Sequence, residues 1–344
     1  MVEIRRGSGG HLQTRPVHTG EDASRPAAST GGRRRGPSRR RRAAGTWLTI
    51  TLFLLPALVL FLLLVLLPMV IAAYTSLFRW NGLGGWPKSQ NYIGLDNFTR
   101  LLGDSIFWGD LRHMAILIVL SLVIQLPLSL GLALLLNQRV RGRAIYRTVF
   151  FAPYVLSEVI TGVLFSMVFS PDAGLVNYIL GLVGVESTTE WLGDPDIVLY
   201  TVFFVVTWKY FGFHMILYLA GRQGIPHELL EAAALDGAGP WKQFRHVTLP
   251  LLGPTIRMSV FLSIIGSIQL FDLVWVLTQG GPVHASETMA VTMYHFGFQR
   301  FQIGYASAIS VVMFIISLIF ALTYQRFVLR RDTEGAITTM RDQR

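Results

Sequence analysis

The sequence predicts an all-α integral membrane protein with six transmembrane helices and with both termini in the cytoplasm. Of its 344 residues, 52% are hydrophobic and 15% are charged, and the mean hydropathy is +0.48. Soluble globular domains are less apolar than this. Six apolar segments each have a length near the ~20 residues that a helix needs to cross a bilayer. Basic residues are concentrated in alternate loops between these segments, which favours one fixed orientation.

The apolar segments are predicted to be helices because lipid cannot satisfy unpaired backbone polar groups. Three prolines within them, Pro56, Pro68 and Pro127, predict local kinks or helix ends. Together the spans form one transmembrane domain over residues 47–331. The predicted spans are residues 47–73, 113–136, 149–169, 197–219, 258–277 and 303–327.

The two ends of the chain predict cytoplasmic tails. Residues 1–46 are rich in Gly, Ser, Thr, Pro and Arg, a composition typical of disorder. Their arginine runs at 33–35 and 39–42 favour a positive-inside anchor that binds membrane lipids over a nucleic-acid arm. A cleaved signal peptide is not expected, because the apolar stretch that follows is too long. Residues 332–344 form the second predicted tail.

Loop charges set the predicted orientation. The loops assigned to the cytoplasm carry Arg139, Arg141, Arg143, Arg147, Arg222, Lys242, Arg245 and Arg257. The opposite loop at 172–196 carries only the acids Asp172, Glu186, Glu190, Asp194 and Asp196. The loop at 74–112 has mixed charge and weakens the contrast. The positive-inside rule still favours cytoplasmic termini and a cytoplasmic loop at 222–257.

The loop at 222–257 predicts a compact helix–turn–helix at the membrane surface. Residues 228–235 are mostly good helix formers, and Gly237 and Gly239 end that helix. A second short helix is expected to begin at Pro240. The small side chains of Ala232 and Ala233 would allow a partner to approach the backbone closely. The same pattern also fits an amphipathic surface helix that merely links two spans.

The motif in this loop resembles the EAA loop of ABC importer permeases. Glu231-Ala232-Ala233 is followed after three residues by Gly237, and after nine more by Val247 and then Leu249-Pro250; the family usually has Ile where Val247 stands. The resemblance implies the type I importer permease architecture. It also implies that the loop at 231–250 docks on a separate cytoplasmic ATPase. The implied coupling residues are Glu231, Ala232, Ala233, Asp236, Gly237 and Pro250.

A second set of motifs is similar to the carbohydrate branch of these permeases, the relatives of maltose and glycerol-phosphate permeases. Residues 271–272 (FD) with 277–282 (LTQGGP) carry this resemblance, together with 191–195 (WLGDP) and 223–226 (QGIP). Alone, the TQGGP segment could be an ordinary turn that ends a span. The branch implies a sugar substrate, an extracytoplasmic solute-binding protein, a second homologous permease and two ATPase copies.

Polar and aromatic residues within the spans are candidate solute contacts, since polar groups in a bilayer are costly. The resemblance, counted from the two motifs, assigns the solute pathway to Tyr210, Phe213, Ser267, Gln269 and Asp272. The rings of the fourth span could equally pack between helices. Lys209 could pair with Glu158, or both could lie near the outer interface. Gly162, Gly212 and Gly266 are expected to serve helix packing.

Several site classes have no signal in the sequence. The chain has no Cys and no Gly-Lys dipeptide, and so no P-loop of its own. We therefore expect no catalytic residue, no metal site and no cofactor in this chain, with ATP bound by the partner ATPase. One alternative function is an ion-coupled secondary carrier, for which only Glu158 and Asp272 are candidate intramembrane carboxylates. A membrane receptor or scaffold is a third class, in which Ser267 and Gln269 would tolerate substitution.

Overall fold

The computed structural model describes residues 39–138, 141–185 and 189–329. The predicted tail at 332–344, and the predicted tail at 1–46 up to residue 38, lie outside these ranges. The chain divides into two units that meet between Val59 and Leu60. Within the first unit the described residues form one helix, which begins at Arg39 rather than at the predicted residue 47. Residues 39–46, assigned to the disordered tail from composition, are therefore helical.

The described residues are mostly helical. The α-helices are α1 Arg39–Phe61, α2 Leu67–Thr75, α3 Asp96–Leu102, α4 Ser105–Leu120, α5 Leu126–Asn137, α6 Arg143–Val155, α7 Glu158–Val168, α8 Leu175–Leu182, α9 Val198–Gln223, α10 His227–Leu235, α11 Pro240–Gln243, α12 Leu249–Leu251, α13 Gly253–Ile268, α14 Asp272–Leu277, α15 Met289–Tyr294 and α16 Ile303–Tyr324. Short π-helical segments follow five of them, at Leu62–Leu66, Ser121–Gln125, Phe244–Thr248, His295–Gln299 and Gln325–Leu329.

Four continuous helical stretches within the described ranges are long and apolar enough to cross a membrane. They are Ile50–Thr75, Ser105–Asn137, Val198–Gln223 and Ile303–Leu329. They match the first, second, fourth and sixth predicted spans, although the second begins eight residues earlier than predicted. The number of candidate spans rises to six if two bent helix pairs each count as one span.

The third and fifth predicted spans are not single straight helices. The third is α6 and α7, which meet at an angle of 98°. Pro153 lies in the last turn of α6, and Ser157 restarts the chain as the N-cap of α7, its Oγ accepting from the Ile160 amide at 3.2 Å. The fifth predicted span, 258–277, is interrupted after Ile268, and its helix α13 instead forms a 65° bend with the α11–α12 segment, Pro240–Leu251.

Three prolines explain the positions of three π segments. Pro68, Pro127 and Pro250 each lie two residues after a π segment ends. A proline ring clashes with the carbonyl four residues before it and provides no amide donor. One extra residue in the preceding turn removes that clash, as in other π-bulges. The predicted kinks at Pro68 and Pro127 are therefore bulges within continuous spans, and Pro56 lies inside α1.

Helix α9 forms the centre of the second unit. Its buried side chains pack with residues of α4, α7 and α14 into the largest apolar cluster. Gly212 lets α6 approach closely, since a Cβ at this position would lie 1.9 Å from the Phe150 carbonyl oxygen. Gly162 faces Val276 in the same manner. Gly266 has no neighbouring atom within 4 Å of a Cβ position, so the expected packing role does not hold there.

Candidate functional site

The first candidate site is the surface loop between α9 and α13, which we call the coupling loop (residues 224–252). Its helix α10 ends in two hydrogen bonds, from Ala238 N to Ala233 O at 2.9 Å and from Gly237 N to Ala234 O at 3.0 Å. This 6→1 and 5→2 pair defines a Schellman motif, and it requires a left-handed residue after the helix. Gly237 provides it, with φ +79°. The predicted helix–glycine turn–helix is thus present.

The predicted coupling residues lie together on this loop. Glu231, Ala232, Asp236, Gly237 and Pro250 are exposed, and Ala233 is half-buried. The exposed carboxylate of Glu231 accepts from the His227 ring, with 2.9 Å between Oε1 and Nδ1. Apart from that contact on its own helix, the surface is available to a partner.

Sequence reasoning missed two apolar residues on the same surface. Leu235 is 90% exposed and Trp241 is 69% exposed. The Trp241 ring contacts Phe244, with 5.4 Å between the ring centroids. Large apolar side chains at this exposure on a short water-facing loop are typical of a protein-binding surface. The sequence contains no local signal that separates them from the other apolar residues of this loop, such as Leu230 and Phe244.

The second candidate site is a cavity of about 260 Å³, which we call the pathway cavity. It lies among α9, α13, the end of α4 and the last turn of α6. Its lining combines apolar side chains with hydroxyl, amide and ring groups. The lining residues are Leu117, Ser121, Gln125, Tyr154, Phe203, Val206, Tyr210, Phe213, His214, Leu262, Ser263, Gly266, Ser267 and Leu270.

The polar atoms of the pathway cavity are only partly satisfied. The Ser263 Oγ is buried and has no hydrogen-bond partner among the described residues. The Ser267 Oγ donates to the Ser263 carbonyl oxygen at 3.0 Å, which leaves its lone pairs free to accept. His214 Nδ1 lies 2.6 Å from Ser259 Oγ. An unpaired buried hydroxyl is costly, and a polar ligand in the cavity would satisfy it.

Aromatic rings form one wall of this cavity. Tyr154 of α6 stacks on Phe213 of α9, with 4.9 Å between the centroids and 22° between the planes. Tyr210 also borders the cavity and donates its hydroxyl to Glu158. Flat rings beside hydroxyl groups are suited to a ligand that has both apolar faces and hydroxyl edges.

The structure brings three of the five predicted pathway residues to this cavity. Tyr210, Phe213 and Ser267 line it, whereas Gln269 and Asp272 do not and are exposed. Counting from the TQGGP motif assumed one helix through these positions, but α13 ends at Ile268. Residues 269–271 between α13 and α14 are not helical, so the helical phase that would aim Gln269 inward is lost. Whether any of the five contacts a solute stays a prediction.

The pairing of Lys209 with Glu158 is not observed. Lys209 is buried, and its Nζ donates to the Leu156 carbonyl oxygen at 2.5 Å. Leu156 is the residue at the break between α6 and α7. The Glu158 carboxylate instead accepts from Tyr210. Both side chains of α9 therefore hold the bend of the α6–α7 pair next to the pathway cavity.

Sequence comparison links most of the chain to membrane components of importers. Residues 125–332 match the family described as binding-protein-dependent transport system inner membrane component. A probable ABC transporter permease protein of Bacillus subtilis, YurN, is 37% identical over 279 residues, covering 80% of this chain and 94% of the relative. The diacetylchitobiose uptake system permease protein NgcF of Streptomyces coelicolor is 32% identical over 329 residues, covering 90% and 92%.

Further similarities point the same way. The trehalose/maltose transport system permease protein MalF of Thermococcus litoralis is 32% identical over 273 residues, covering 79% of this chain and 91% of the relative. Among solved structures, a bacterial ABC transporter involved in the import of the acidic polysaccharide alginate has a chain that superposes with a TM-score of 0.75. That chain is 25% identical, and the match covers 85% of this chain and 99% of the other.

Proposed function

This chain belongs to the binding-protein-dependent transport system inner membrane components, and we propose that it forms one half of the solute pathway of an ATP-driven sugar importer. It is a membrane protein and a permease subunit. The observation that supports the proposed pathway best is the pathway cavity, which unites stacked aromatic rings with hydroxyl groups in the part of the chain that matches the family.

A sugar or oligosaccharide is the proposed solute class. Several relatives carry the names of diacetylchitobiose, trehalose/maltose and lactose permeases. The cavity chemistry agrees with such a solute, because rings stack on the apolar faces of a sugar and hydroxyl groups pair with its edges. Tyr154, Phe213, Ser263 and Ser267 would supply these contacts.

The coupling loop is the proposed docking site for the ATPase. Glu231, Asp236 and Gly237, together with the exposed Leu235 and Trp241, would form the contact. The loop joins the two helices that wall the pathway cavity: α9 precedes it with Tyr210 and Phe213, and α13 follows it with Ser263 and Ser267. Because the loop is covalently continuous with both helices, a displacement of the docked loop would move α9 and α13 and so change the pathway cavity.

The proposed mechanism is the one that the resemblance to ABC importer permeases implies, and this connection is where the chain would transmit it. ATP binding closes the ATPase dimer, brings the two coupling loops of a permease pair together and favours the outward-open state. A ligand shifts such an equilibrium only by its differential affinity for the two states. Hydrolysis returns the pair to the inward-open state. The solute, delivered by an extracytoplasmic binding protein, enters only while the outward-open state is populated.

ATP is proposed to bind only to the separate ATPase subunits. The chain has no Gly-Lys dipeptide and therefore no P-loop. Among the described residues, no three His, Cys, Asp or Glu side chains are grouped as metal ligands. We propose that this subunit has no catalytic activity of its own. Its partners would be two ATPase copies, a second permease and the binding protein.

The secondary carrier is the alternative that the structure makes less favourable. Proton or ion coupling would need a carboxylate in the solute pathway. Glu158 is engaged by Tyr210, and Asp272 is exposed outside the pathway cavity. Neither lines the cavity.

The proposed function is tested by purifying the tagged chain with its neighbours and measuring uptake in proteoliposomes. We expect an ATPase and a second permease to co-purify, and uptake of labelled maltose- or chitobiose-type oligosaccharides to require both ATP and a binding protein. Uptake driven by an ion gradient without ATP would contradict the importer function. ATP-driven uptake of a different solute class would contradict only the sugar assignment.

The separation of Ser267 from Gln269 gives a prediction for the pathway. We expect Ser267→Leu to lower the uptake rate about fivefold. The variant loses one hydrogen bond to the solute, and a loss of ~1 kcal/mol corresponds to about that factor. Gln269→Leu, two residues away but outside the cavity, should keep the rate within about twofold of wild type, since it loses no such bond. Initial uptake rates at equal expression measure both. Equal losses in the two variants would show that the cavity does not define the pathway.

A further inference from the structure

A second pocket lies between the loop that follows the first span and the beginning of α16. Its volume is about 720 Å³, and most of its lining is polar. We call it the outer pocket, since three spans separate its loop from the coupling loop when the bent α6–α7 pair is counted as one span: Ser105–Asn137, the α6–α7 pair and Val198–Gln223. An odd number of spans places the two loops on opposite sides. The lining residues are Arg79, Trp80, Asn81, Asn91, Ile93, Asp96, Asn97, Arg100, Phe301, Gln302 and Tyr305.

Backbone hydrogen bonds hold the outer pocket in a fixed shape. The Arg79 amide donates to the Asn91 carbonyl oxygen at 2.9 Å, and the Gly304 amide donates to the Trp80 carbonyl oxygen at 2.9 Å. The buried Asn97 Nδ2 donates to two carbonyl oxygens of the same loop, at 2.7 and 3.1 Å. A side chain at Gly304 would not fit, because its Cβ would lie 2.0 Å from a backbone oxygen. The pocket is thus formed before any partner arrives.

Two arginines give the outer pocket its chemistry. The Arg100 guanidinium lies 4.1 Å from the Tyr305 ring centroid and donates to the Gln302 Oε1 at 2.9 Å. Within the described ranges, neither Arg100 nor Arg79 forms a salt bridge with a carboxylate. Asp96 is the one acid of the lining, so the pocket carries an excess positive charge. A guanidinium fork fixed on a ring is suited to bind a carboxylate with two hydrogen bonds.

The residues around the outer pocket indicate what kind of molecule provides the carboxylate. The outer pocket shares no lining residue with the pathway cavity, so it is not a continuation of that solute site. On the same side, the stretch between α7 and α9 carries only acids among its described charged residues: Asp172, Glu190, Asp194 and Asp196. A protein with an acidic segment would be attracted to the pocket and repelled from this stretch. This difference in charge between the outer pocket and the acidic stretch would fix the orientation of a docking protein.

From these observations we infer that the outer pocket receives a carboxylate-bearing segment of the extracytoplasmic solute-binding protein. Arg79 and Arg100 pair with the carboxylate, and the side-chain amide groups of Asn81 and Asn91, which also line the pocket, donate further bonds. This inference rests on the proposed function, because it requires a binding-protein-dependent importer. Beyond the proposed function, the inference specifies where the binding protein docks and which charges pair in that contact.

The test compares Arg79→Glu with the matched control Lys88→Glu in the assembled importer. Both residues are exposed on the same loop, but only Arg79 lines the outer pocket. The probe is the solute-binding protein that co-purifies with the importer, expressed separately, and its Kd for the importer in nanodiscs is measured at two salt concentrations. We expect Arg79→Glu to raise Kd about tenfold at low salt and less at high salt, and Lys88→Glu to leave it within about twofold.

Each of the other possible results would overturn either this inference or the proposed function. Unchanged docking by Arg79→Glu, or equal weakening by Lys88→Glu, overturns it while leaving the importer function intact. A thermal shift caused by free glucuronate and lost in Arg79→Glu, with docking unaffected, would assign the pocket to a small anion and also overturn it. Failure of the wild-type importer to bind any solute-binding protein, or to hydrolyse ATP in response, contradicts the proposed function itself.

Discussion

Gly237→Asp is expected to reduce solute uptake to background and to remove the ATPase from the purified complex, while the chain still folds. The folded state tolerates this change. Gly237 has φ +79°, and no atom lies within 4 Å of a Cβ at this position. Asp is among the residues that adopt left-handed conformations most readily, so the strain costs ~1 kcal/mol. The effect arises at the surface, where the new carboxylate stands beside Asp236 in the proposed contact with the ATPase.

The matched control is Gly84→Asp. Gly84 has φ +75° and equally open space around its Cβ position, and it lies in the loop after the first span. This variant carries the same backbone strain and the same added charge at a site far from the coupling loop in the sequence. Its uptake should equal that of wild type, and its ATPase should co-purify. If Gly237→Asp retained the ATPase and normal uptake, the coupling loop would lose its assigned role.

Much of this fold could be predicted because the bilayer imposes a length on apolar segments. The spans that end at Thr75, Asn137, Gln223 and Leu329 were found from hydropathy alone. The bend between α6 and α7 was not, although Pro153 and Ser157 are the residues that produce it. Both lie inside a run of apolar residues of span length. Hydropathy measures how readily a segment partitions into lipid. It does not show whether that segment runs as one straight helix or bends.

The coupling loop was predicted in more detail than the pathway cavity because its signals are local. A glycine that ends a helix acts on the four or five residues before it, so the position of Gly237 was sufficient. The cavity instead depends on residues distant in sequence, such as Ser121 and Gln125 of the second span facing Ser263. Their spacing of four places them on one helix face, which was a usable signal. The helix that they face could not be read from the sequence.

The bend of α6 and α7 links the two candidate sites physically. Lys209 and Tyr210 of α9 hold the bend through Leu156 and Glu158, and α9 leads directly into the coupling loop. A movement of α9 driven from the loop must therefore displace or release these two hydrogen bonds. Tyr154, in the last turn of α6 and two residues before Leu156, would move with them and change the aromatic wall of the pathway cavity.

Gly266→Trp is the second variant for which we expect a near-complete loss of uptake. Gly266 lines the pathway cavity, and no atom lies within 4 Å of its Cβ position. An indole placed there extends into the cavity of about 260 Å³ rather than into a packed helix contact. Occupying space that is already empty avoids the strain of overpacking, which costs ~1–3 kcal/mol in a filled core. The protein should therefore fold and assemble but transport no solute.

The measurement is uptake and ATPase co-purification of Gly266→Trp beside Gly131→Trp. Gly131 also lies in a membrane helix with no atom near its Cβ position, but it is outside the lining of the pathway cavity. Both variants add the same side chain, so a general effect of tryptophan on insertion or assembly would appear equally in both. Loss of uptake in Gly266→Trp alone, with the ATPase still bound, would locate the solute in the cavity. Normal uptake by Gly266→Trp would instead mean that the solute passes elsewhere, and Ser263, Ser267 and Phe213 would then have only structural roles.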